Sequence, residues 1–528
     1  MASSSAIPLL LLCLISISLA TTCHSFSTEQ FLQCLQSKTS TKNISQQLFF
    51  PNTTSYSTLL LSSISNARFT TSQTSKPLLI FTPSHESHIQ ASVLCSKTYS
   101  LSLRVRSGGH DLEGLSYRTV GNQRFIILDL TNFRSVTVDI EHRTALVEAG
   151  ATVGDLYYQI AKQTTTLGFP AGTSPTVGVG GQISAGGVGT LVRKYGLAAD
   201  NVLDVRLVDV HGRILDKDSM GEDLFWAVRG GGAVSFCVVL SWKLRLVPVP
   251  QTVTLFNVAK SLQDGAIDII DKWQHVAYNL PEDLFIETLM QTLMNGTKGA
   301  EVFFNGLYLG KSNEALQVMN NRFPELGVNA SDLNEMSWIQ SVLSFALYPI
   351  DSPIEILTDR SVQQKANFKA KSDYAVNLLP RAALKILWDS LLQVDRAAIY
   401  FEPYGGKMAE IPEFQIPFPH RKGSLFSILY LVAWTEEAEK NLDWVRNLYN
   451  QMTPYVSKNP RGAYLNYRDL DLGRNEGRNT SYSMAEVWGR KYFKSNFLRL
   501  TLVKGEVDPA DFFWNEQSIP PLVLLKLY

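Results

Sequence analysis

The order of hydrophobic and polar positions divides much of the chain into short strand-like runs and helical segments. Apolar runs rich in β-branched residues predict strands at 78–81, 125–128, 145–148 and 202–210. Between them, Thr152 is a favourable N-cap for a helix with one apolar face, formed by Val153, Leu156, Tyr157 and Ile160. This mixture predicts an α+β fold.

The pattern changes after the prolines at 248 and 250. Helical spacing of Ala266, Ile270, Trp273 and Ala277 and strand-like runs at 302–309 and 425–434 predict a second domain. The tail at 512–521 is too apolar to float free, so we expect it to pack back onto the first domain.

Composition narrows the classes of partner. With 45% hydrophobic residues the chain can bury large cores, and its length of 528 residues favours two or three domains rather than one. Forty-eight basic residues balance forty-eight acidic ones, and no long run carries a single sign of charge. The sequence therefore indicates no nucleic-acid or anionic-membrane partner and favours a small molecule.

The N-terminus predicts entry into the secretory pathway. Residues 1–25 are interpreted as a cleaved signal peptide, because the apolar run 7–20 is too short for a comfortable membrane span. No later stretch is long and apolar enough for a membrane helix. The extracellular space or apoplast, the vacuole and secretory lumens are all possible destinations.

Cysteines and sequons agree with that route. Cys13 and Cys23 fall in the predicted signal peptide, and Cys237 lies in an apolar strand-like run, so Cys34 and Cys95 are the expected disulfide pair. The chain also carries several glycosylation sequons, at Asn43, Asn52, Asn295, Asn329 and Asn479.

Two glycine-rich segments carry the candidate chemistry. The first follows the apolar run at 101–105 and consists of Arg106, Ser107, Gly108, Gly109, His110 and Asp111. The second consists of Gly178, Val179, Gly180, Gly181 and Gln182. Glycines let a backbone approach a ligand and direct N–H groups at an anion, and the histidine adds a nucleophilic nitrogen. A large anionic cofactor suits such a pair of backbones.

Several other classes are disfavoured. Ile183 replaces the third glycine of a dinucleotide fingerprint, and no P-loop or Gly-x-Ser-x-Gly run is present. The eight histidines show no metal-ligand spacing, so no metal is expected.

The combined motifs resemble the plant berberine bridge enzyme-like family. They are the segments at 106–111, 178–181, 193–201, 221–232 and 515–521. The resemblance implies the two-domain vanillyl-alcohol-oxidase fold and an FAD cofactor. It divides the chain into an FAD-binding part at 26–250, an inserted substrate domain at 251–469 with an antiparallel sheet and helices, and a C-terminal FAD-binding part at 470–528.

By this resemblance, His110 bonds covalently to the flavin. The cofactor also contacts the glycine-rich segments and lies beside Ser174, Val177, Val188, Val239 and Asn466. Ser174 stands where many relatives have a second, cysteinyl link, and because a hydroxyl is a weak nucleophile we expect one covalent bond only. Val177 matches a position where valine permits oxygen access in the family.

Other positions depart from the family pattern. Ser427 stands where many relatives present a carboxylate or amine base, and Leu429 follows it on the same side of the predicted strand. Leu112 and Val188 replace common tyrosines, so the substrate pocket is expected to be less polar than usual. Tyr467 is then the candidate to accept a substrate proton, with aromatic packing against the cofactor as the alternative.

Three functions follow. The first is oxidation of a plant specialised metabolite, an alkaloid or phenolic, by hydride transfer, with O2 giving H2O2. The second is a Diels–Alder-type cyclase in which FAD is largely structural, because an apolar pocket suits orientation more than proton transfer. The third is carbohydrate oxidation, which the apolar substitutions disfavour because sugars need many hydrogen-bond partners.

Overall fold

The computed structural model describes residues 27–40, 44–293, 298–361 and 365–523. The predicted signal peptide with Cys13 and Cys23, and the sequons at Asn43 and Asn295, lie outside the described residues. Asn52, Asn329 and Asn479 are exposed, as an acceptor of a glycan must be. Among the helices of the described ranges, none combines the length and apolar character needed to cross a membrane.

A four-stranded sheet opens the fold. Its strands, in the spatial order β1-β2-β4-β3, are β1 (Leu48–Phe49), β2 (Ile80–Phe81), β3 (Ser102–Arg106) and β4 (Phe125–Asp129). The helices of this region are α1 (Thr28–Lys38), α2 (Thr54–Ser62) and α3 (Glu86–Thr98). The predicted disulfide joins α1 to α3 through Cys34 and Cys95, whose Cα atoms are 6.0 Å apart.

A five-stranded antiparallel sheet follows. Its strands, in the order β5-β6-β10-β8-β9, are β5 (Val136–Asp139), β6 (Thr144–Glu148), β8 (Val202–Val208), β9 (Ile214–Leu215) and β10 (Val238–Arg245). A separate pair forms from β7 (Leu167–Gly168) and β11 (Val247–Pro248). The helices here are α4 (Val153–Ala161), α5 (Val179–Ser184), α6 (Val192–Tyr195), α7 (Lys217–Met220) and α8 (Glu222–Val228).

Local sequence explains the main features of this sheet. Thr152 caps α4 as predicted, in a capping box completed by Asp155. Cys237 is buried as expected, but it precedes β10 rather than lying inside a strand, because a 3-10 turn occupies Ala233–Ser235.

The second half of the chain builds a seven-stranded antiparallel sheet in the order β15-β12-β14-β13-β17-β18-β16. Its strands are β12 (Val253–Lys260), β13 (Leu284–Thr292), β14 (Ala300–Tyr308), β15 (Asn334–Met336), β16 (Asn367–Ala375), β17 (Ala397–Pro403) and β18 (Phe426–Trp434). The helices of this region are α9 (Ala266–Val276), α10 (Ser312–Arg322), α11 (Trp338–Phe345), α12 (Arg381–Leu391), α13 (Lys407–Glu410) and α14 (Ala438–Met452). Helices α12 and α14 cover one face of the sheet. Residues on that face are buried, and those alternating with them are half-buried.

The C-terminal segment returns to the first half of the chain, as predicted. After α15 (Tyr482–Phe493) and α16 (Asn496–Val507), Phe512 and Phe513 are buried in the main core. Glu516 forms a fully buried ion pair with Arg104 of β3 at 2.9 Å and accepts the Val120 N–H at 2.6 Å. The tail is therefore an integral layer of the fold.

This ion pair leads to a stability prediction. Glu516→Gln leaves the Arg104 guanidinium buried without its counter-charge, so we expect the free energy of unfolding to fall by about 3–5 kcal/mol. Asp223→Asn breaks an exposed ion pair with Arg499 and is the matched control, with little effect expected. Thermal and denaturant unfolding measure both changes, and equal stability of the two variants would contradict the anchoring role.

Candidate functional site

A cavity of about 360 Å³ lies between the glycine-rich segments and the seven-stranded sheet. The lining includes the turn after β3, residues 172–190 and 232–239, strands β13 and β17, and the segment 464–468. Trp514 and Asn515 of the C-terminal tail also contribute. Its size and mixed lining are typical of a small-molecule site.

The glycines bring two backbones into direct contact. A Cβ atom added to Gly108 would lie 2.2 Å from the Gly178 nitrogen, and one added to Gly109, whose φ is +72°, would lie 1.8 Å from the Ser63 carbonyl oxygen. Ser107 Oγ donates to the Ala149 carbonyl at 2.5 Å. Only glycine permits this approach, so these positions fix the turn that carries His110.

His110 is held as a neutral imidazole. Burial lowers its pKa to about 4, and a hydrogen bond that the ring donates to the Thr176 backbone opposes that shift only in part. Thr176 Oγ1 lies 2.9 Å from Nε2. At neutral pH the ring is therefore unprotonated, which is the form of histidine that acts as a nucleophile.

Polar atoms without protein partners point to a bound polar group. Within the described residues, Gln182 Oε1, Arg468 Nη1 and Trp514 Nε1 are buried without a hydrogen-bond partner, and all three residues line the cavity. Arg468 is oriented by an ion pair with Asp111 at 2.8 Å. Buried unpaired donors and acceptors are costly, so the cavity is built for a ligand that pairs with them.

Most of the residues that the sequence singled out line this cavity. They are Ser107, Gly108, Gly109, His110, Asp111, Leu112, Ser174, Val177, Gly178, Gly180, Gly181, Gln182, Val188, Val239, Asn466 and Tyr467. Asn466 donates to the Gln182 carbonyl at 3.0 Å, which joins the second glycine segment to the segment at 464–468.

Four of the predicted site residues lie outside the lining. The Arg106 side chain is buried against Asp129 and the carbonyls of Leu59 and Leu60, so it fixes the end of β3 instead of contacting a ligand. Val179 is part of the main core. Ser427 is buried and Leu429 half-buried on β18, one strand removed from the lining residue of β17.

Two carboxylates that the sequence analysis did not single out also line the cavity. Glu287 lies on β13 and Glu402 on the adjacent β17, each half-buried. The antiparallel register pairs Thr288 with Phe401, so the two glutamates flank that pair directly across the strands. A charged residue in each of two otherwise apolar strands was the available signal in the sequence.

Glu402 is hydrogen-bonded to two of the residues that the sequence singled out. Its Oε2 accepts a hydrogen bond from Ser427 Oγ at 2.7 Å, and its Oε1 accepts one from Tyr467 Oη at 3.3 Å. Burial raises the pKa of Glu402, and these two hydrogen bonds oppose that rise. Burial and the nearby Glu402 raise the pKa of the Tyr467 phenol well above its ordinary value. Tyr467 is therefore a neutral phenol that donates towards a carboxylate.

Glu287 is perturbed for related reasons. Burial raises its pKa to about 7, a hydrogen bond from Asn305 at 2.9 Å opposes that rise, and the charge of Glu402 adds to it. The two carboxylates thus disfavour each other's ionisation.

Comparison with known proteins identifies this architecture. An FAD binding domain model matches residues 77–217, and a berberine and berberine-like model matches residues 463–520. Berberine bridge enzyme-like 18 of Arabidopsis thaliana is 50% identical over 94% of this chain and 93% of its own length. The chain belongs to the berberine bridge enzyme-like family. It is an FAD-dependent oxidase of that type, with the vanillyl-alcohol-oxidase fold.

Two further proteins are similar over nearly the whole chain. Tetrahydroberberine oxidase of Berberis wilsoniae is 49% identical over 93% of this chain and 94% of its own length. The solved structure of Phl p 4, a grass pollen allergen with glucose dehydrogenase activity, superposes with a TM-score of 0.90 at 46% identity, covering 94% of this chain and 100% of the allergen chain.

The residues of the cavity fit FAD. The unpaired donors of Arg468 and Trp514 and the acceptor of Gln182 suit a cofactor with phosphates, ring carbonyls and a ring N–H group. The close glycine backbones leave room for it where side chains would intrude.

Gly181 offers a direct test of this cradle. A methyl group added there meets no protein atom within 4 Å, and alanine favours the helix α5 in which it lies. We expect Gly181→Ala to fold normally but to contain less FAD, because the methyl group occupies space at the cavity wall. The ratio of flavin to protein absorbance measures this.

Gly477→Ala is the matched control, because its added methyl group also meets no protein atom and Gly477 does not line the cavity. Full FAD content in Gly181→Ala would contradict the assignment of this wall to the cofactor.

Proposed function

We propose that this protein oxidises a small plant specialised metabolite, an alkaloid or phenolic, by hydride transfer to FAD, and that O2 reoxidises the cofactor to give H2O2. The observation that carries the proposal is the pair of hydrogen bonds that Glu402 accepts from Ser427 and Tyr467, because Glu402 and Tyr467 line the cavity together with the glycine-rich segments. This arrangement offers a proton acceptor beside Ser427, the position at which the family resemblance implies a carboxylate or amine base.

Tyr467 and Glu402 act together in this proposal. Bound FAD supplies a two-electron hydride acceptor. Tyr467 Oη takes the substrate proton while its own proton passes to Glu402, so no free phenolate is required. Since burial raises the pKa of Glu402, this carboxylate is a stronger base than an ordinary glutamate and better matched to work near neutral pH.

His110 is proposed as the single covalent attachment of FAD. Its neutral ring and position in the cavity lining support this role. Ser174 also lines the cavity, and its hydroxyl is too weak a nucleophile for a second bond.

Val177 is proposed to admit oxygen. It lines the cavity close to the second glycine segment, and its short side chain leaves more space than leucine would. This supports O2 as the electron acceptor and H2O2 as the second product.

The disulfide and the exposed sequons support passage through the secretory pathway, to the apoplast or the vacuole.

Two other functions make different predictions. A Diels–Alder-type cyclase with structural FAD needs no proton acceptor, so the presence of Glu402 hydrogen-bonded to Tyr467 disfavours this function. Carbohydrate oxidation has support from the similarity to a pollen allergen with glucose dehydrogenase activity, and the two glutamates are polar groups that a sugar could use. Leu112, Val188 and Phe285 nevertheless give the lining a large apolar share.

The covalent bond is tested by the mass of the intact, denatured protein. We expect a flavin adduct in the wild type and in Ser174→Cys, and none in His110→Ala, because only His110 supplies the attacking nitrogen. An adduct that survives His110→Ala would refute the single histidyl link.

The oxidase reaction is tested by anaerobic mixing with candidate substrates, followed by flavin absorbance. Bleaching, with H2O2 formed on admission of air, is expected. The bleaching rate should fall as pH drops through the raised pKa of Glu402, because a carboxylate must be ionised to accept a proton. Glu402→Gln should slow bleaching by about 10²–10⁴-fold and remove this pH dependence.

Glu439→Gln, at an exposed position on α14, is the control for the lost charge. Product formation while the flavin stays oxidised would favour the cyclase. Unchanged bleaching in Glu402→Gln would exclude Glu402 as the base.

A further inference from the structure

The buried carboxylates of this protein are generally matched by buried cations. Arg106 pairs with Asp129, Arg421 with Asp200, Arg461 with Asp373 and Arg104 with Glu516. Within the described part of the chain, Glu287 and Glu402, which are half-buried, are different, because neither forms a salt bridge with a lysine or arginine. Both face the cavity.

The surroundings of these two glutamates are polar but uncharged. Glu287 accepts from Asn305 of β14, whose Oδ1 accepts in turn from Asn257 at 2.5 Å. Glu402 accepts from Ser427 and Tyr467. The other titratable groups coupled to them are the phenols of Tyr374, Tyr400, Tyr404 and Tyr464.

Two neighbouring carboxylates without a cation resist double ionisation, because their like charges repel in a medium of low polarity. A ligand that carries one positive charge removes this penalty. A neutral ligand or an anion does not. The chain thus provides the negative half of an ion pair and leaves the positive half to the substrate.

We propose that Glu287 and Glu402 bind the cationic nitrogen of an amine substrate and that this pair determines the specificity of the enzyme. The inference rests on the proposed oxidase function and narrows its substrate class from an alkaloid or phenolic to a protonated amine.

The two glutamates then have different roles in the reaction. The ammonium N–H bond breaks, its proton passes through Tyr467 to Glu402, and the electron pair of that bond stays on nitrogen. The adjacent C–H bond next breaks, its hydride goes to FAD, and the nitrogen lone pair forms the C=N bond of an iminium cation. Because Glu402 is by then protonated, Glu287 keeps the negative charge that stabilises the developing iminium.

A pair of inert probes tests recognition without turnover. Benzyltrimethylammonium carries a permanent charge, and neopentylbenzene is its neutral carbon isostere. Calorimetric titration of the FAD-loaded enzyme should show binding at least about tenfold tighter for the cation. Its affinity should rise as pH increases through about 7, where Glu287 ionises.

Glu287→Gln keeps the size of the side chain and the hydrogen bond with Asn305 but removes the charge. It should bring the affinities for the two probes to within about threefold of each other. Glu439→Gln is the charge control and should retain the wild-type preference. Flavin absorbance confirms cofactor loading in each variant.

Equal affinity of the wild-type enzyme for both probes, or an unchanged preference in Glu287→Gln, would overturn the proposal. The wild-type comparison does so even if the variant fails to fold. Cation preference without flavin bleaching by any substrate would instead reject the oxidase function and leave the recognition site supported.

Discussion

A buried network of ion pairs fixes the position of the His110 turn relative to the Tyr467 segment on the other side of the cavity. Lys369 of β16 contacts both Glu113, which follows the His110 turn, and Asp469, two residues after Tyr467. Lys371 on the same face of β16 pairs with Asp469 and Asp471. Burial of these charges is costly unless each meets its partner, so the turn, the sheet and the Tyr467 segment have one relative arrangement in which the network is satisfied. The distance between His110 and Tyr467 depends on that arrangement.

Several parts of the site could be predicted from the sequence. The glycine segments were identifiable because close backbone approach requires glycine at Gly108, Gly109 and Gly178, and no other residue substitutes without collision. The capping of α4 by Thr152 and the return of the tail also follow from local chemistry and apolar content. These features are encoded over a few neighbouring residues.

The pair of cavity carboxylates, Glu287 and Glu402, was missed because their proximity depends on strand pairing. Glu287 and Glu402 are far apart in sequence and meet only through the register of β13 with β17. Likewise, Arg106 belongs to a ligand-binding motif by position, yet its side chain points away to Asp129. A sequence motif identifies a backbone segment. The direction of each side chain depends on contacts with residues that are distant in the sequence, so the motif alone does not predict it.

Strand pairing also explains why a carboxylate lies beside Ser427, the position at which the family resemblance implies a base. Glu402 is the registered partner of Ser427, since β17 and β18 pair these two positions directly. Side chains at such paired positions lie about 5 Å apart on the same face of a sheet. The Glu402 carboxylate on β17 therefore lies beside the Ser427 side chain on β18, and the serine hydroxyl donates a hydrogen bond to it. The pairing of β13 with β17 also places this carboxylate next to Glu287. The strand pairing thus places two carboxylates, Glu402 and Glu287, side by side at the cavity.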